Sequence, residues 1–116
     1  MPSYQVNKAG VDQAGTLIDK GQYDDATEWS DAAPSTQDGN AEIDKHGYKG
    51  FGAWHLAIDT EAGEDTKSRY AFPYGDFKQV NRAALIHAKQ RATQNDHDNI
   101  ARAADKLLDR LDQKRS

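Results

Sequence analysis

The chain contains no cysteine, so it has no disulfide framework, no thiolate nucleophile and no cysteine-based zinc or iron–sulfur site. It also lacks any apolar run approaching the ~20 residues that span a bilayer, and its opening stretch MPSYQVNKAG holds no apolar segment that could serve as a signal peptide. These absences point to a cytoplasmic protein with no membrane partner. Apolar residues are sparse as well, at 36% of the 116 positions, and they thin out most between Asp24 and Gly50. A chain of this length forms one domain (1–116) with one core. The expected division is an N-terminal helix with a partly mobile loop region over about 1–50, and a compact α+β core over about 51–113.

Local signatures of chemistry are missing too. The four histidines, His46, His55, His87 and His97, are scattered, and none belongs to the H-E-x-x-H pattern that places two ligands on one helix face. The tightest group, Asp96, His97 and Asp98, suits capping and solvation of a helix better than metal binding. Asp59, Glu61, Glu64 and Asp65 surround Gly63 without the ordered ligand series of a calcium loop, and read as a solvated hairpin turn. Ser30, Ser35 and Ser68 lack a G-x-S-x-G elbow, and the chain has neither a G-x-G-x-x-G nor a G-x-x-x-x-G-K phosphate-binding motif. No catalytic, cofactor-binding or metal-ligating residue is therefore expected, and the chain reads as a non-enzyme.

What is present is periodicity. Val11, Ala14, Leu17 and Ile18 recur at helical spacing, with Gly21 placed to end a short helix. Asp31 to Gly52 is rich in Pro, Ser, Asp, Asn and Gly and reads as a long loop. Phe51 to Asp59 alternates, setting Trp54, Leu56 and Ile58 on one face, and after the turn TEAGEDT the alternation resumes in Tyr70, Phe72 and Tyr74. This predicts an antiparallel hairpin over about 51–59 and 68–74, with Pro73 at an edge or at the end of pairing. Asp76 with Gln79 resembles a capping box, predicting a helix over about 77–93 whose apolar side includes Val80, Leu85 and Ala88. Ile100, Ala104, Leu107 and Leu111 predict a second helix over about 97–112. Packing this helix pair on the hairpin gives an α+β fold, with Trp54 and Phe72 together beneath Val80, Leu107 and Leu111.

Charge is unevenly spread. Met1 to Asp65 carries 13 acidic and 4 basic residues, and Thr66 to Ser116 carries 6 acidic and 11 basic, so −9 and +5 sum to the net −4. Lys67, Arg69, Lys78, Arg82 and Lys89 could line a basic strip that binds a partner. Nucleic acid is the alternative partner to protein, but Asp98, Asp105, Asp109 and Asp112 on the second helix would bring like charge toward phosphates.

The segment WHLAIDTEAGEDTKSRYAFPYGDF, continued by KQVNRAALIHAKQRA, resembles a small domain of tailed-phage and prophage head-morphogenesis proteins. That domain accompanies prohead (head-maturation) protease polypeptides and also occurs in stand-alone prophage proteins. The shared features are Trp54, Leu56, Asp59-Thr60, Thr66-Lys67, Tyr70, Phe72-Pro73, Val80, Arg82, Gln90-Arg91-Ala92, Ala103-Ala104 and Leu107-Leu108. The resemblance implies a phage or prophage accessory protein whose partner is a phage head or host protein. It does not carry over proteolysis, because the protease's serine and histidine motif has no counterpart here.

Overall fold

The last helix shows how the chain builds its core. Ile100, Ala104, Leu107, Leu108 and Leu111 recur at i, i+4, i+7, i+8 and i+11, and in the structure all five are buried on one side of α5 (Asp98–Arg115). The structure is a computed structural model and describes residues 3–115. Helix α4 (Arg82–Gln94) lies against α5 through Leu85, Ala88 and Ala92. The corner between them is closed by two backbone bonds, His97 N–H to Ala92 O at 2.8 Å and Asp96 N–H to Thr93 O at 3.3 Å, with Asp96 left-handed at φ 60°.

The hairpin forms as expected from β3 (His55–Asp59) and β4 (Tyr70–Pro73), paired antiparallel with His55 opposite Pro73 and Ile58 opposite Tyr70. Pro73 is the last residue of β4, which is an edge strand, a position where proline is tolerated. A third strand, β1 (Tyr4–Val6), carries no alternating signal long enough to read, yet it pairs antiparallel along the other side of β3. Helix α1 (Lys8–Asp19) follows directly and is closed by Gly21 at φ 77°. It contributes Ala14 and Ile18, both fully buried, so the core draws on residues before position 51. The crossing is close enough that a Cβ on Gly10 would collide with the His55 carbonyl oxygen.

Two expectations are corrected. The stretch 31–50, expected as a loop, is mostly helix: α2 (Trp29–Ala32) and α3 (Thr36–Gly52). A capping box starts α3, because the Ser35 hydroxyl accepts from Asp38 N–H and the Asp38 carboxylate accepts from Ser35 N–H. That local bonding outweighs the low helix propensity of Gly39 and Asn40, and the helix kinks at Gly47 (φ 73°), a conformation that glycine adopts without steric cost. The first of the two C-terminal helices begins at Arg82 and not at Phe77. Asp76 does accept from Lys78 N–H and Gln79 N–H, both at 3.0 Å, but Phe77 is left-handed at φ 69°, so the chain turns away from helix. It then runs through β5 (Val80–Asn81), parallel to β2 (Tyr23–Asp24), and Asn81 caps α4 by accepting from Ala84 N–H at 2.8 Å.

Trp54 and Phe72 both adjoin the core but belong to different ring groups. Trp54 is buried against Tyr74 (5.5 Å) and Phe77 (6.1 Å), whereas Phe72 is half-buried against Tyr4 and His97.

The turn from α3 into β3 is held by side chains from elsewhere. Asn7 Nδ2 donates to Gly52 O at 2.9 Å and to His55 O at 3.1 Å. The Tyr74 hydroxyl donates to Ala53 O at 2.7 Å and accepts from Gln13 Nε2 at 3.1 Å. His55 Nδ1–H donates to Phe51 O at 3.1 Å. Burial pushes the Tyr74 phenol up, and it pushes His55 down to about 4, against the weaker opposing effect of its backbone bonds.

Two measurements follow from this junction. Asn7→Ala removes the donor to two buried carbonyls and should cost about 2–4 kcal/mol in urea unfolding, with Asn7→Asp costing more because it sets a buried carboxylate against two carbonyl oxygens; a change within about 0.5 kcal/mol would refute the assigned role. His55 sits below its ordinary value of 6.5 in the folded state, so the unfolded chain binds the extra proton first as pH drops. Stability should be complete above about pH 6.5 and decline by roughly 3 kcal/mol between there and pH 4, a slope that His55→Asn should flatten.

Candidate functional site

Where the sheet meets α4, the chain leaves a cleft of about 610 Å³ open. One wall is β4, contributing Ala71, Phe72 and Pro73; the facing wall is α4, whose His87, Ala88, Arg91 and Asn95 share one side of the helix. Tyr4 of β1, Trp29 of α2 and His97 of the α4–α5 corner complete the lining. Three of these rings meet edge-on. Tyr4 lies 5.8 Å from Phe72 and 5.2 Å from His97, and Phe72 lies 6.1 Å from His97, with interplanar angles of 84°, 83° and 81°.

Phe72 reaches this position through a left-handed backbone, φ 61°, within a strand. A bulky residue seldom adopts that region, and the strain costs of order 1–3 kcal/mol. Such outliers persist only where the surrounding structure holds them, and here the Tyr4 and His97 rings pack against the Phe72 ring.

No carboxylate lines the cleft. Arg91 forms no ion pair among the described residues, and its backbone carbonyl accepts from Asn95 N–H at 3.1 Å and Asn95 Nδ2 at 2.9 Å. The site therefore offers flat apolar surface from three aromatic rings, with Arg91, His87, His97 and Asn95 as polar groups at its margin. This composition suits binding of an apolar group attached to an acidic or carbonyl-rich one. Its described lining holds no serine, threonine, lysine or carboxylate. Among the described residues no serine or threonine hydroxyl bonds to a histidine, and no three His, Asp or Glu side chains converge on a metal-sized site. No helix is long and apolar enough to cross a membrane.

Comparison of the chain with protein-family models, with curated proteins and with solved structures gave no match.

The five residues of the sequence-derived basic strip are parted among different neighbours. Lys67 Nζ lies 3.4 Å from Thr36 O, at the start of α3, and Arg69 Nη1 donates to Ala62 O at 3.0 Å in the hairpin turn. Lys78 is exposed in the turn after Asp76. Arg82 meets Asp112 through two bonds, 2.8 and 3.2 Å, holding that carboxyl below its ordinary range, and Lys89 meets Asp105 at 2.7 Å. The acids of α5 thus engage two of the five cations directly. The cleft residues span the chain from Tyr4 to His97, and no short motif joins them. The one local hint was the Tyr70, Phe72, Tyr74 alternation, which reads equally as core.

With Arg82 and Lys89 already paired, titration of labelled single- and double-stranded DNA at about 0.15 M salt should show no sub-micromolar binding. A salt-sensitive, sub-micromolar complex abolished by Lys67→Glu with Lys78→Glu would restore the strip as a nucleic-acid surface.

Proposed function

We propose that this protein is a non-enzymatic accessory module of a tailed phage or prophage that acts by binding another protein during head assembly, in the cytoplasm of the bacterial host. The observation that carries the reading is where the phage-like residues lie. Phe72, Pro73 and Arg91 belong to the stretch that resembles head-morphogenesis proteins, and all three line the cleft. Residues that only maintained the fold would cluster in the core, as Leu56, Val80, Leu107 and Leu108 do; these three stand at an open surface.

The cleft chemistry supports a protein partner. Aromatic rings and arginine are the side chains that most often anchor protein interfaces, because they bury large area at low entropic cost. An apolar side chain of a head protein would enter between Phe72, Tyr4 and Trp29, with a neighbouring acidic residue meeting Arg91.

The test is sedimentation of heads from induced host cells. The wild-type protein should travel with the prohead fractions, and the Arg91→Glu variant, altered at an exposed side chain without a partner, should stay at the top of the gradient with its fold intact by circular dichroism. Wild-type protein found only at the top of the gradient would reject the head-assembly role.

A further inference from the structure

The cleft does not exhaust the molecule's unpaired surface. The three-stranded sheet runs β1–β3–β4, and β1 forms its other edge. Asn7 N–H donates to Leu56 O at 2.8 Å and Thr60 N–H donates to Ser3 O at 2.9 Å, with Gln5 opposite Ile58. Antiparallel ladders alternate, so Ser3, Gln5 and Asn7 aim their backbone groups at β3, while Tyr4 and Val6 aim theirs outward. Beside that outward edge lies an open groove walled by β1 and by the beginning of α5, lined by Tyr4, Val6, Asp96, Asp98, Asn99 and Arg102 among others. Val6 is the most exposed large apolar residue among the described residues, at 36%. A bare edge strand with an exposed valine invites pairing with another strand.

Charge along the groove identifies the occupant. At the Tyr4 end stand Asp96 and Asp98, placed there by the contact of Tyr4 with His97. At the Val6 end stands Arg102, with Lys106 further along the same helix face. None of these four forms an ion pair among the described residues. An antiparallel strand centred on Gln5 and belonging to the same sequence would set Tyr4 opposite Val6 of the other copy. It would bring the acidic end of each groove onto the basic end of the other. The groove is thus complementary to itself under a two-fold rotation, as a symmetric dimer contact must be. A partner with a run of one charge would meet repulsion at one end.

We propose that this edge is a self-association surface, on which the β1 strands of two copies pair antiparallel and join their sheets. Pairing would use the outward N–H and C=O groups of Tyr4 and Val6, bury Val6, and set Asp98 against Arg102 of the other copy at both ends. The proposal stands on the strand edge and its charges, and is independent of the head-assembly reading.

Sedimentation equilibrium of the wild-type protein across micromolar to millimolar concentration tests it, and the mass should rise from 12.9 kDa toward twice that value. Val6→Pro removes an outward N–H and leaves the ladder to β3 in place, so it should weaken association at least tenfold while circular dichroism stays unchanged. Asp98→Lys alone and Arg102→Glu alone should each stay monomeric, because each places like charges at both ends. Mixed together, the two variants should associate, since every end-to-end pair in the mixed dimer is then opposite in sign. A wild-type protein that stays monomeric at millimolar concentration would overturn the proposal, as would a dimer that survives Val6→Pro or a mixture of the charge variants that fails to associate.

Discussion

The chain's tertiary structure hangs on the turn that leads from α3 into β3. A helix end leaves carbonyls without intrahelical partners, and burial makes each one costly unless a donor is supplied. Here the donors come from distant segments: Asn7 from the β1–α1 junction reaches two carbonyls, Tyr74 from beyond β4 reaches a third, and His55 turns back on its own chain. Asn7 occupies the N-cap position of α1, where asparagine ordinarily serves the helix, yet it makes no cap bond and spends its amide on this turn. The same contact fixes how closely α1 crosses β3, which in turn demands Gly10. Remove the amide, and the N-terminal segment loses the group that registers it on the sheet.

Part of the charge is paired within the chain. The acidic first half and basic second half meet through Asp19 with Arg110 and Asp25 with Arg115, while α4 and α5 meet through Arg82 with Asp112 and Lys89 with Asp105. Each pair is partly exposed and contributes little stability on its own. Their effect is orientation: α5 presents anions to α4 and cations to the N-terminal segment, so its axial rotation is fixed from both sides. Two cations of the expected strip are taken up by these pairs, while Arg91, Arg102 and Lys106 form no ion pair among the described residues.

Much of the fold was legible where periodicity ran long enough. Helix α5, the body of α4, the β3–β4 hairpin and the end of α1 at Gly21 follow from spacing and turn chemistry alone. Helix α3 did not, because its glycines and polar residues mimic loop composition; the readable sign was local, a serine and an aspartate three positions apart at Ser35 and Asp38. Asp76 misled for the opposite reason, since an aspartate that accepts from the next turn's N–H groups does so in an Asx turn as well as at a helix start. Strands β1, β2 and β5 are two or three residues long and exist only through their partners. The cleft was not legible at all: Phe72 alternates like a core residue, and nothing local announces its left-handed backbone.

The pairing of the chain's first elements with its last has a consequence for synthesis. Strand β1 and helix α1 leave the ribosome before their partners, for the amide of Asn7 must wait for His55, 48 residues later, and Asp19 must wait for Arg110, 91 residues later. Until α5 emerges, Ala14 and Ile18 have no complete surface to cover them. The N-terminal quarter therefore cannot settle as a vectorial intermediate. Folding of this domain is completed only once α5 has been made, with the closure of large loops as its slow step.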